Sequence, residues 1–163
     1  MTAPTTDPGR ALLGAALQGA TQMLDVIHDH DLAEPRLQVV AEIIRQLADA
    51  GIRPDPVTVL AHARATGIVT RADAVQAFAL LLHELFAECP VPASARFYAV
   101  AVLDEAIRRR VTEAGTRLAQ AAETDSLESL LALVDAEHHA VRELADRRAA
   151  VANDGPRLRA VSA

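Results

Sequence analysis

The chain has 163 residues, of which 51% are hydrophobic and 23% are charged, so it is long enough for one domain with a buried core. All 16 basic residues are arginine, which excludes a GxxxxGK[ST] phosphate loop and a Schiff-base lysine, and with them ATP hydrolysis by this chain alone. The net charge of −6 disfavours a general phosphate-neutralising surface.

Three helices are predicted in the first part of the chain. Asp7 can accept hydrogen bonds from free backbone amides and a proline follows it, which predicts a helix from Pro8 to Leu17. A short second helix is expected from Thr21 to His28, because apolar residues recur there at helical spacing. Pro35 opens a third helix, whose apolar stripe ends at Gly51 and should be buried.

Local capping signals predict the next two helices. Asp55 followed by a proline predicts a fourth helix from Pro56 to about Thr66. Thr70 and Asp73 approximate a capping box, which opens a fifth helix that two prolines end. The five helices are expected to form a compact head over residues 8–90.

A different pattern begins at Ser94, which is expected to cap a long helix. From there apolar residues recur at alternating steps of three and four, as in a packing seam. Asp125 and Glu128 predict a second capping box and a return helix, so residues 94–150 should form an antiparallel helical hairpin. We call its apolar residues the predicted seam and expect them to be the interaction site: Val100, Leu103, Ile107, Val111, Leu118, Leu127, Leu130, Val134 and Val141.

The whole chain is therefore predicted to be all-α, with a compact five-helix head followed by a long antiparallel hairpin. Residues 1–7 are expected to be a disordered N-terminus and residues 151–163 a flexible C-terminal tail. The apolar runs fall short of the roughly 20 residues that span a bilayer. No signal-peptide pattern is present and Cys89 is the single cysteine, which predicts a cytoplasmic protein without membrane contact.

Three sequence blocks have the order and spacing of a known family. They are Arg10-Ala11-Leu12-Leu13-Gly14-Ala15, the stretch Gly51 to Val59 with Asp55-Pro56-Val57-Thr58-Val59, and Phe97-Tyr98-Ala99 running into Arg108-Arg109-Arg110. Over residues 9–150 the chain resembles the N-terminal domain of the DnaB family of replicative hexameric DNA helicases. It departs from the family pattern at Gly9, Leu37 and Ser94, where the family usually has an acidic residue, a histidine and an asparagine.

The resemblance implies a role in DNA replication. In that family this domain is a non-catalytic collar, whose hairpins pair between subunits to build a ring on which primase or loading proteins dock. It implies a homo-oligomer, dimeric or larger, that docks primase, the replicative helicase or a helicase loader. A family helicase carries a nucleotide-hydrolysing domain after this one, but only residues 152–163 follow the last predicted helix. The chain is thus expected to lack the motor and to be no enzyme.

No residue pattern predicts catalysis, a cofactor or a metal. His28 and His30 lie two residues apart, so they point in different directions on a helix, and no cysteine or third histidine is nearby. Serines occur without a GxSxG elbow. We therefore expect no catalytic, cofactor-binding or metal-binding residues, and no cofactor.

Two other functions stay open. Residues 37–66 can also be interpreted as a helix-turn-helix, which with the Arg108–Arg110 triplet would make the chain a DNA-binding regulator. The second helix, however, offers only His62 and Arg64 to a groove. The triplet spreads over about 200° of helix beside acidic residues at ion-pair spacing, so no direct nucleic-acid binding is expected. The chain could also be a motor-less remnant or a split part of a replicative helicase.

Overall fold

The computed structural model describes residues 7–153, and all regular elements in this range are helical. The all-α prediction is confirmed. The α-helices are α1 (Pro8–Leu17), α2 (Pro35–Asp49), α3 (Pro56–Ala65), α4 (Ala72–Glu88), α5 (Ala95–Thr124) and α6 (Leu127–Asn153), with short 3-10 segments at Thr21–Asp25, Asp29–Asp31 and Pro92–Ser94.

The chain divides into two compact units, one ending at Ala106 and the other beginning at Ile107. We call their described parts the head and the hairpin. The head extends beyond the predicted limit of residue 90, because residues 95–106 at the start of α5 belong to it.

The ends of the described range bear on two other predictions. Helix α6 continues to Asn153, so residues 151–153, which the sequence assigned to a flexible tail, are helical. The rest of that tail lies outside the described residues, as does the predicted disordered N-terminus apart from Asp7.

Helix α1 is at the centre of the head. Its side chains Leu12, Leu13 and Leu17 are at most 1% exposed, and the helix packs against α4. Gly14 permits the close approach, since a Cβ built at this position would lie 2.1 Å from the carbonyl oxygen of Leu85. The glycine of the first sequence block is therefore required by backbone packing.

Arg10 links the same two helices at their edge. Its Nε donates to Glu88 Oε2 at 2.6 Å and its Nη2 donates to Glu84 Oε2 at 3.1 Å. The hydrogen bond with Glu88 raises the pKa of Arg10, and burial opposes that shift. The α1–α4 contact thus has an apolar centre and an ion-paired edge.

Two predicted carboxylate caps are confirmed, and a predicted capping box is wrong. The Asp7 carboxylate accepts a hydrogen bond from a first-turn amide at 3.0 Å, and that of Asp55 accepts two, at 2.7 and 2.8 Å. The predicted box of Thr70 and Asp73 does not form, because α4 starts two residues after the threonine and has Arg71 at its N-cap. Asp73 instead accepts hydrogen bonds from the Arg71 side chain.

The predicted second helix, residues 21–28, is not an α-helix. The 3-10 segment Thr21–Asp25 occupies its first part, and residues 26–28 connect that segment to the next one. Arg45 of α2 accounts for the change, because it donates to the carbonyl oxygens of Leu24 at 3.2 Å and Ile27 at 2.7 Å. A side chain thus satisfies carbonyls that helical amides would otherwise satisfy.

Candidate interaction face of the hairpin

The two helices of the hairpin are joined by Asp125 and Ser126. The Ser126 hydroxyl accepts a hydrogen bond from the amide of Ser129 at 3.2 Å, so this serine caps α6. The predicted box of Asp125 and Glu128 is wrong, since Asp125 accepts from the hydroxyl of Thr124 at 3.0 Å. So short a turn returns α6 antiparallel to α5, as predicted.

A carboxylate lies between two arginines where the helices face each other. Glu137 of α6 accepts hydrogen bonds from Nε and Nη2 of Arg117 at 2.8 and 3.1 Å, and Nη2 of Arg110 lies 2.7 Å from its Oε2. The Glu137 side chain is only 8% exposed. The Arg117 hydrogen bonds and the Arg110 charge hold the pKa of Glu137 below its usual value, and burial opposes this. Charged contacts therefore close the hairpin.

These contacts identify the facing sides of α5 and α6. The residues on them follow one another at helical spacing, and those other than the arginines are at most 7% exposed. Small alanines occupy the positions between and after the arginines. We call the set the inner seam: Arg110, Ala114, Arg117 and Ala121 of α5 with Glu137 and Leu144 of α6.

The nine residues of the predicted seam fall into three groups. Two of them belong to the head, four are partly buried in the hairpin, and three are exposed there. The apolar periodicity therefore combined residues that lie on different faces. The two residues of the head are Val100 and Leu103, and the four partly buried ones are Ile107, Leu118, Leu130 and Val141. The three exposed residues are Val111, Leu127 and Val134, which are 51%, 71% and 42% exposed.

Helical geometry places the exposed residues on one side of the hairpin. Each residue advances a helix by about 100°, so Val111 and Leu118, which each follow an inner-seam arginine, lie to one side of that seam. On α6, Val134 and Val141 lie three residues before and four after Glu137, which rotates them by roughly 50° in the same sense. Because the helices are antiparallel, equal rotations bring both pairs to the same side.

We call this surface the outer face. Leu131, which is 56% exposed, extends it and was missed from the sequence, although it lies at i+4 from Leu127 and i−3 from Val134. The opposite edge is polar, with Glu113 and Glu143 exposed. The outer face comprises Val111, Leu118, Leu127, Leu131, Val134 and Val141.

Glu137 was not among the residues predicted for the interaction site, because only apolar residues were assigned to the predicted seam. The available signal was its position, seven residues from both Leu130 and Leu144. A charge at a heptad position of an otherwise apolar stripe indicates a buried partner.

Two of the residues considered for nucleic-acid binding have partners within their own units. Arg110 was expected to pair with acids along its own helix, but it pairs with Glu137 of the facing helix. His62 of α3, considered for groove contact, has its Nε2 2.9 Å from Oε1 of Gln46.

Within residues 7–153, no three or more His, Cys, Asp or Glu side chains are grouped so that they could hold a metal ion. Over the same range, no single helix combines the length and apolar character needed to cross a membrane.

The head and the outer face define the class of this protein as an all-helical domain with an exposed apolar hairpin surface. Residues 5–104 match the family described as DnaB-like helicase N terminal domain. The match covers more than half of the chain, so the chain belongs to this family. The matched range ends within α5, before the hairpin begins.

Similar proteins support the assignment. The chain is 33% identical over 114 residues to the replicative DNA helicase DnaB of Mycobacterium leprae, a match that covers 68% of this chain and 18% of that protein. It is 32% identical over 98 residues to the replicative DNA helicase DnaB of Leifsonia xyli subsp. xyli, covering 60% of this chain and 21% of the relative. The matches thus span about a fifth of these curated relatives.

A solved structure resembles the chain over a longer range. It is the crystal structure of the N-terminal domain of DnaB helicase from Mycobacterium tuberculosis, with a TM-score of 0.70 and 28% sequence identity. The similarity covers 83% of this chain and 95% of that one. Because the unit ending at Ala106 is only 106 of 163 residues, the matched fold includes part of the hairpin.

Proposed function

We propose that this chain is a non-catalytic module of DNA replication that self-associates through the outer face of its hairpin. As the family assignment suggests, the assembled module docks primase, the replicative helicase or a helicase loader. The observation that carries the proposal is the outer face itself, an exposed apolar stripe on both helices of one hairpin.

The energetics favour covering this face. Burying a leucine-sized side chain contributes roughly 1.5 to 3 kcal/mol. Four exposed and two partly buried apolar residues on each of two copies would oppose the translational, rotational and side-chain entropy lost on association. Isolated exposed leucines are common on soluble proteins, but a continuous apolar stripe marks an interaction surface.

A second copy of the chain is the occupant that fits this face. The stripe runs lengthwise along two antiparallel helices, and a twofold axis would lay an identical stripe against it, giving a four-helix bundle. The unit from Ile107 onward has 9 acidic residues and 9 arginines, so two copies meet without net charge repulsion. The two sets of apolar residues would then form a core that one hairpin lacks.

The test is the solution mass of the protein with the outer face altered. Leu131→Asp with Val134→Asp places two charges on the outer face without changing the inner seam. We expect the mass, measured by light scattering on a sizing column, to fall to that of the monomer. The matched control is Ala132→Asp with Ala136→Asp, which adds two charges to exposed positions of the same helix on the other side and should keep the wild-type mass.

Two results would contradict the proposal: a monomeric wild-type protein, or an outer-face variant that keeps the wild-type mass. Equal loss of mass in both variants would indicate general damage to α6, and circular dichroism of each variant identifies that case. Binding of purified primase, helicase and loader to the wild type and to both variants then tests whether docking requires assembly. Salt-sensitive binding of duplex DNA by the wild type would favour the regulator instead.

A further inference from the structure

The charged contacts of the inner seam connect two residues of α5 with one residue of α6. We propose that the charge triad, which is Arg110, Arg117 and Glu137, fixes the axial register of α5 against α6. By fixing the register, the triad decides which residues of the two helices lie side by side on the outer face. Only this last step rests on the proposed self-association.

The first argument is the spacing of the triad. Arg110 and Arg117 are seven residues apart on one side of α5, which separates them by about 10.5 Å along the helix axis. Glu137 contacts both, at 2.7 Å and 2.8 Å, so it lies axially between them. One carboxylate can serve two arginines so far apart only from this intermediate position.

A slip of one turn would break this arrangement in either direction. Moving α6 by about 5.4 Å would bring Glu137 level with one arginine and leave the other about 10.5 Å away along the axis. The abandoned guanidinium would stay at a partly buried position without its carboxylate. Losing the carboxylate would be especially unfavourable for Arg110, because its Nε is already buried and has no hydrogen-bond acceptor within residues 7–153.

The second argument is that, apart from the arginines, α5 contributes only small side chains to the inner seam. These are Ala114 and Ala121, which offer little shape to hold Leu144 of α6 in one register. Large interdigitating side chains would have specified the register by shape. A slip would unwind a few residues at the helix ends beside Asp125 and Ser126, and residues 122–129 are all exposed, so the turn holds the register only weakly.

Register has a consequence outside the seam. In the observed register the outer-face residues of α5, Val111 and Leu118, lie beside Val134 and Val141 of α6. After a slip of one turn each valine of α6 would lie beside a different residue of α5. A single polar interaction inside a helical seam is a known way to select one register at some cost in stability.

The experiment measures the register directly, by the distance between two spin labels. Labels are placed at Gln120→Cys and Glu143→Cys, two exposed positions on the polar edge, after Cys89→Ala removes the native thiol. The pair is offset along the axis, so a slip of one turn shifts the distance by up to about 5 Å. Dilution with unlabelled protein removes distances between copies, which makes the measurement independent of self-association.

The test variant replaces all three triad residues by leucine: Arg110→Leu, Arg117→Leu and Glu137→Leu. We expect one narrow distance in the wild type and two or more in this variant, at unchanged helix content. One narrow distance equal to that of the wild type would overturn the proposal. If the triple variant does not fold, Glu137→Gln decides, with a broadened distribution expected and a wild-type distribution contradicting the proposal.

The two proposals fail separately. A protein that proves monomeric while its triad variants lose their single distance would contradict self-association and leave the register device intact. If the outer-face variant falls to the mass of the monomer while the triad variants keep the wild-type distance, self-association is supported and the register proposal is contradicted.

Discussion

Within the described residues the head and the hairpin each bury a carboxylate, Asp31 and Glu137, but their helix contacts place charge differently. In the head the contact of α1 with α4 is apolar at its centre, as at Leu12 and Leu13, and charged residues such as Glu84 lie at its edge. In the hairpin a buried carboxylate, Glu137, closes the seam while Leu131 is exposed. The two units also differ in net charge. The unit ending at Ala106 is acidic, with 13 acidic residues against 7 arginines, and the unit after it is neutral, with 9 against 9.

The two units are stabilised in different ways. The head buries many large side chains, among them Leu12, Leu13 and Leu82. The apolar residues that the hairpin buries within residues 107–153 are Ala114, Ala121, Leu144 and Val151, so its exposed apolar residues can contribute only when another surface covers them. An apolar interior predicts independent folding, and an apolar exterior predicts association.

The largest expected effect compares one leucine from each unit. Leu82→Ala in α4 removes a side chain that is 0% exposed and should lower the free energy of unfolding by about 2–5 kcal/mol. Leu131→Ala should change the monomer by less than about 0.5 kcal/mol, but weaken self-association. Urea unfolding of both variants, measured at a concentration where the outer face is free, tests the comparison. Equal losses would contradict it.

Two glycines provide a second comparison. Gly14→Ala should destabilise the head by about 1–3 kcal/mol, because the new Cβ meets the backbone of α4. Gly115→Ala should stabilise the hairpin by about 0.5–1 kcal/mol, because this exposed helical position has no atom within 4 Å of an added Cβ. Thermal unfolding of both variants would show opposite shifts, and two shifts of the same sign would contradict the packing described for α1.

The smallest effect is a pH dependence confined to the hairpin. The pKa of Glu137 is lowered below its usual value of 4.5, chiefly by its hydrogen bonds with Arg117. Its stabilising contribution is therefore complete above the unfolded-state pKa and is lost as the pH falls through the folded-state value. The amides of α6 should be better protected from hydrogen exchange in the wild type than in Glu137→Gln. This difference in protection should be constant near neutral pH and disappear in acid. A difference that persists in acid would contradict this role.

Local signals predicted well what depends on local contacts. The starts of α1 and α3 follow from Asp7 and Asp55, whose carboxylates bond amides within three residues. The capping predictions at Thr70 and Asp125 failed, because neighbouring residues offered competing side-chain contacts. The segment from residue 21 to 28 failed for a longer-range reason, since Arg45 lies on another helix.

The candidate site was predictable only in part. The 3–4 periodicity correctly predicted two long helices that turn back on each other. Only the structure divided the nine predicted seam residues into two of the head, four partly buried residues of the hairpin and three exposed ones. Val134 and Leu144 have the same periodicity, yet one is 42% exposed and the other 7%. A helical repeat covers a broad arc, so periodicity alone cannot say which edge of that arc meets the partner helix.

By itself, the sequence determined the helical class, two capped helix starts and the family, because composition, capping and ordered blocks are properties of the chain before it folds. The tertiary structure alone decided that Gly14 lies against the backbone of α4, that Glu137 is shared by two arginines, and that Leu131 lies outside. Each of these depends on which residues distant in sequence come into contact, and contact depends on the packing of whole helices rather than on any local signal.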